Sequence, residues 1–115
     1  MSISTDILTS LSQQLGESYG KFKARMETEA NYLEGQSMMI AKGRAAGQIP
    51  DDQFDWLVKN LQTDAENFCR ILCMQTLLTI EAAWNAVVRI VWSAINSVLG
   101  ASGLGALAIP MAPAA

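Results

Sequence analysis

The side chains that could do chemistry are few, and the 115-residue chain contains no histidine at all. That removes the commonest general base, the commonest metal ligand and the imidazole-based Ser and Cys triads. Cys69 and Cys73 stand four residues apart. On a helix this spacing places them on one face but on successive turns, where they are poorly held for bonding each other. The pattern is neither a redox Cys-x-x-Cys nor, without companions, a zinc site, and free cysteines commonly serve as small buried hydrophobes. Glu27, Glu29 and Glu34 share a segment with Lys21, Lys23 and Arg25, and pairs such as Lys23 with Glu27 and Arg25 with Glu29 read as a solvated helix face. A carboxylate-bridged di-metal site in a helical bundle wants Glu-x-x-His pairs, and no glycine-rich phosphate loop follows a strand. The sequence points away from an enzyme and calls for no cofactor, metal or small-molecule substrate.

Two patterns of spacing carry a sharper reading. Glu81, Asn85, Arg89, Ser93 and Ser97 recur every fourth residue within Phe68 to Leu99, a stretch whose only charges are Arg70, Glu81 and Arg89. Along one helix Glu81 and Arg89 lie about 12 Å apart, too far to pair. This polar seam therefore either finds partners across subunits or lines a lumen, or it is the least buried edge, with Arg89 snorkelling or pairing with an acidic residue of the first helix. The other pattern is the ladder of small residues Ser12, Gly16, Gly20 and Ala24. Glycine inside a helix costs about 1 kcal/mol relative to alanine, so two of them suggest close approach of another backbone, with local flexibility as the alternative.

The elements that must position these residues are helical. Leu8, Leu11, Leu15, Tyr19, Phe22, Met26, Ala30, Leu33, Ser37 and Ile40 recur in steps of three and four, which predicts one amphipathic helix over residues 5–46 within a first unit, 1–47. Gly47 suits a left-handed helix end, Ile49-Pro50 cannot continue the helix, and Asp51 caps a new start with Asp52 and Asp55 in its first turn. A turn at 48–51 then returns the chain in a second helix, 52–99, whose Phe54, Leu57, Leu61, Ala65, Phe68 and Leu72 match the first stripe. The expected fold is all-α: an antiparallel hairpin of two long helices followed by an uncharged apolar tail, 100–115, broken by Gly100, Gly103, Gly105, Pro110 and Pro113.

Charge is distributed unevenly along this hairpin. Residues 1–66 hold six Lys/Arg and ten Asp/Glu, residues 67–115 only two Arg and one Glu, and half of all residues are hydrophobic. No basic patch suits nucleic acid, and the N-terminus shows neither the cationic nor the compact apolar region of a cleavable signal peptide. From Phe68 onward apolar residues point in nearly every direction, so the second helix demands several neighbours or lipid. Trp84 and Trp92 read as packing residues or interfacial anchors. The window from Ala82 is a marginal membrane span, because about eight Val, Ile and Leu residues, each worth roughly −0.3 to −0.6 kcal/mol, face Arg89 at roughly +2.5 to +3.5. The expected function is accordingly a self-assembling structural subunit, a homo-oligomer whose hairpins pack side by side into a tube, filament or shell through the second helix and tail. Its place is then in a large extracellular or virion assembly. The alternative is a membrane-associated, C-terminally anchored protein that oligomerises in the lipid bilayer as a pore; a soluble adaptor that holds its apolar helix for a protein partner is a third, weaker reading.

Overall fold

The computed structural model describes residues 2–112, and within them the chain is all-helical and compact, 43 × 29 × 18 Å. Four α-helices follow in order: α1 (Ile3–Leu15), α2 (Tyr19–Ala45), α3 (Asp51–Gln75) and α4 (Ile80–Ala101), with one short 3-10 turn at Gly16–Ser18. The expected hairpin of two long helices is thus replaced, each long helix being divided once and folded back on itself. A continuous helix over 52–99 would be roughly 70 Å long, well beyond the largest dimension of the molecule.

The first break lies at Gly16, whose φ of 56° and ψ of −126° belong to backbone that only glycine adopts readily. It reverses the chain so that the start of α1 meets the middle of α2, and Glu34 Oε1 accepts the backbone N–H of Ser4 at 3.1 Å. That carboxylate sits where the positive end of the α1 dipole favours it. Ser2 completes the cap, its hydroxyl accepting the N–H of Thr5.

The second break, at 76–79, uses no glycine or proline. The Thr76 hydroxyl donates to the Leu72 carbonyl and accepts the N–H of Leu78, while the Thr79 hydroxyl accepts the N–H of Ala82 to open α4. Two threonines thereby offer the backbone an alternative to continued helix. Between the breaks, the stop near Ala46 falls as expected, with Gly47 at φ 74°. Arg44 holds this turn by donating to the Ile49 carbonyl, pairing with Asp51 and stacking over the Phe54 ring. Asp51 is the first residue of α3 rather than its cap, a position taken by Pro50.

The result is an up-down-up-down bundle in which α2 and α4 each touch the three other helices, while α1 and α3 flank them without meeting. Leu11, Met26, Ala30, Leu33, Ser37 and Ile40 of the first stripe are buried, as are Phe54, Leu61, Ala65, Phe68 and Leu72 of the second. The core therefore follows the expected faces although the helices are shorter. Helix α4 buries Ala83, Trp84, Ala86, Val87, Val88, Val91, Trp92, Ile95 and Leu99, so most of the apolar stretch beyond Phe68 is covered by its own chain, while Met74 and Leu77 ahead of α4 stay bare.

Candidate functional site

The polar seam lies along the solvent side of α4. Glu81, Asn85, Arg89, Ser93 and Ser97 are all exposed, which follows from their spacing, since the opposite face carries the buried Val and Trp residues. Arg89, Ser93 and Ser97 form one wall of a groove of about 860 Å³ closed by Asp6 of α1 and by Glu34 and Met38 of α2. Its floor is apolar, with Ile3, Ile90 and Val98. Among the described residues, the ion pairs within 4.0 Å are Lys23 with Glu27, Arg44 with Asp51 and Arg70 with Glu66, none of which involves Glu81 or Arg89. The structure thus places Arg89 in a groove lined by acidic Asp6 and Glu34, but not in a bond to either.

The small-residue ladder is not brought together as a stripe. Its helix is interrupted at Gly16, and Gly16, Gly20 and Ala24 are exposed with Ser12 half-buried. A β-carbon added at Gly16 or Gly20 would meet no atom within 4 Å, so neither glycine serves close packing inside the bundle. Cys69 is buried and Cys73 partly so, both as free thiols. Burial, reinforced by Cys73 and Glu66, pushes the Cys69 thiol up to about 12, and burial also raises Cys73. A thiol held protonated in this way is a packing group and not a nucleophile at neutral pH. Among the described residues no cluster of three or more Cys, Asp and Glu is placed to hold a metal ion.

The C-terminal tail forms a second feature. Beyond Ala101 the chain turns and runs back along α4 as an extended strap. Asn96 grips it with both amide atoms, Nδ2 donating to the Leu107 carbonyl at 3.0 Å and Oδ1 accepting the Leu107 N–H at 2.7 Å. Higher on the helix, the Trp84 indole N–H donates to the Pro110 carbonyl at 2.7 Å. The sequence reading of Trp84 as a packing residue or interfacial anchor does not include this bond, and Asn96 carries no assigned role there. That a polar amide inside an apolar helix needs a partner was the available signal. The tail, expected to be covered by other subunits or membrane, is instead partly seated on its own bundle, with Leu107 and Ala112 against the core. Of the tail residues, 113–115, including Pro113, lie outside the described residues.

Apolar surface left uncovered gathers in identifiable places. Met74 and Leu77, at the turn between α3 and α4, are 84% and 101% exposed. They adjoin a groove of about 490 Å³ bounded by Leu15, Phe22 and Leu78. On the flank between α2 and α3, Tyr32 and Trp56 are exposed around Gln36 and Asn60. The Tyr32 hydroxyl donates to Asp64 at 3.3 Å, and that carboxylate raises the phenol's pKa. On the strap, Leu104, Ile109 and Met111 face outward. No protein-family model matches the chain, and neither a curated protein nor a solved structure is significantly similar to it.

Proposed function

We propose that this chain is a non-enzymatic self-assembling subunit whose bundles join into a homo-oligomer such as a tube, filament or shell. The observation that carries the reading is the bare turn at 76–79. Isolated surface leucines are ordinary, but here two long apolar side chains, Met74 and Leu77, stand free beside a groove that mixes apolar Leu15, Phe22 and Leu78 with polar Gln14, Ser18 and Lys21, and exposed apolar side chains rimmed by polar residues mark an interaction site. Helix α4 is largely covered by its own chain, and bare apolar side chains stand instead at the end of the bundle and on the strap. The exposed seam from Glu81 to Ser97 adds a polar strip along which a lateral neighbour could be registered. Light scattering on the purified chain over a wide concentration range tests the proposal, with the double variant Met74→Lys, Leu77→Lys beside it. The wild type is expected to form a discrete larger species and the variant to be monomeric with unchanged circular dichroism. A wild type that stays monomeric throughout would refute it.

A second reading is favoured by α4 itself. This helix of 22 residues is long and apolar enough to cross a bilayer by length and composition, although half of its most apolar window is buried in the bundle. Co-flotation of the wild type with lipid vesicles, with no assembly in their absence, would support membrane anchoring over the structural reading.

A further inference from the structure

We propose that the C-terminal strap, residues 104–112, is exchanged between copies, each strap docking on Asn96 and Trp84 of a neighbouring bundle. This rests on the self-assembly reading and adds a second contact to the bare turn. The strap's three anchoring hydrogen bonds all go to backbone atoms, the N–H and C=O of Leu107 and the C=O of Pro110. An amide side chain that pairs with a peptide unit in this way acts as one residue of a β-partner, and it reads an extended backbone without reference to which chain carries it. The bonds made to the chain's own strap are therefore the bonds a second copy's strap would make.

The connection favours exchange. Helix α4 ends at Ala101, and Gly103 at φ 76° starts the reversal that brings Leu107 back to Asn96. Opened out, the five residues between Ser102 and Ala106 reach roughly 17 Å, enough to carry the strap off its own helix and onto an adjoining one. Exchange of an identical terminal segment between copies is a low-cost route to dimers.

What the closed form leaves bare is the second reason. With the strap seated on its own helix, Met111 is 90% exposed and Leu104 and Ile109 also face outward, and the whole segment from Gly100 onward carries no charged side chain. When a strap crosses to a neighbour, the body of the donor bundle is drawn alongside it, and the outer side of the strap gains cover. The exchange is reciprocal in a closed dimer and sequential in a filament.

Two full-length variants separate the roles. Asn96→Ala removes the acceptor surface and leaves the strap intact, whereas Leu107→Pro removes the strap's N–H donor and leaves Asn96 intact. Each alone is expected to lose the wild-type oligomer. Mixed, they should recover a 1:1 dimer by light scattering, since the strap of the first fits the helix of the second. Retention of the full oligomer by either variant overturns the exchange and leaves self-assembly standing through another contact, and so does a mixture that stays monomeric. A wild type that never assembles overturns both. If circular dichroism shows either variant unfolded, covalent trapping decides: with Cys69→Ala and Cys73→Ala as background, chains bearing Asn96→Cys are oxidised with chains bearing Leu107→Cys. A disulfide-linked heterodimer is expected, and its absence refutes the exchange.

Discussion

Gly16 and Gly20 belong to one ladder in the sequence, yet replacing each with alanine should move stability in opposite directions. Gly20 is the second residue of α2 with open space around it, so Gly20→Ala gains part of the interior helix preference of alanine, up to about 0.8–1 kcal/mol, with no clash to offset it. Gly16 also has open space, so no steric contact contributes there either. Its backbone, however, sits at φ 56°, ψ −126°, and holding alanine in so sparsely populated a region costs about 1–3 kcal/mol. The predicted difference between the two variants is therefore about 1–4 kcal/mol, read as opposite shifts of the urea midpoint at unchanged slope. If residues 5–46 formed one continuous helix, both substitutions would stabilise it equally. Gly16→Ala stabilising as much as Gly20→Ala would refute the reversal at Gly16 and the four-helix arrangement with it.

Two further outcomes follow from the site. Cys69 has its thiol pushed up from 9.0 to about 12, mainly by burial; the unfolded chain loses this proton at lower pH than the folded one. Its contribution is fully present below pH 9 and lost between there and about 12, at up to about 1.4 kcal/mol per pH unit, so Cys69→Ala should flatten the alkaline limb of a pH-stability curve measured by urea unfolding. Arg89→Leu acts on the exposed edge of α4, where the bundle's stability should change by no more than about 0.5 kcal/mol. In a membrane-spanning α4 the same change removes a cost of roughly 2.5–3.5 kcal/mol, so an unaltered vesicle-bound fraction in flotation counts against insertion and a large rise counts for it.

The stripes from Leu11 to Ile40 and from Phe54 to Leu72 were legible because helical periodicity reports which face is buried irrespective of what buries it. The two reversals were not. At Gly16 the 3-10 turn is only three residues long, and the apolar period carries across it nearly in phase, so two helices read as one. At 76–79 the chain breaks without glycine or proline, on hydrogen bonds from Thr76 and Thr79 that a count of breakers misses. Thr79 followed by Glu81 in the first turn is a helix-start signal of the same kind as Asp51 with Asp52, and it was present in the sequence. Of the site, the seam's alignment was readable from spacing. The strap was not, because its bonds join residues 11 and 26 apart through backbone carbonyls.

The missed reversals account for how 115 residues satisfy a helix that is apolar over most of its surface. Burying Trp84, Val87, Val88, Val91, Trp92, Ile95 and Leu99 is worth on the order of 10–20 kcal/mol. The bundle secures this by cutting two long helices into four and laying three of them around α4. A bilayer could cover the same side chains and so offers little net gain over the bundle for them. The exposed edge behaves differently, since Asn85, Arg89, Ser93 and Ser97 face water in the bundle but would face lipid or require partners in a membrane. The apolar face is thus satisfied in both settings while the polar edge is satisfied without partners only in water, which weighs for a water-facing bundle over a membrane-spanning α4.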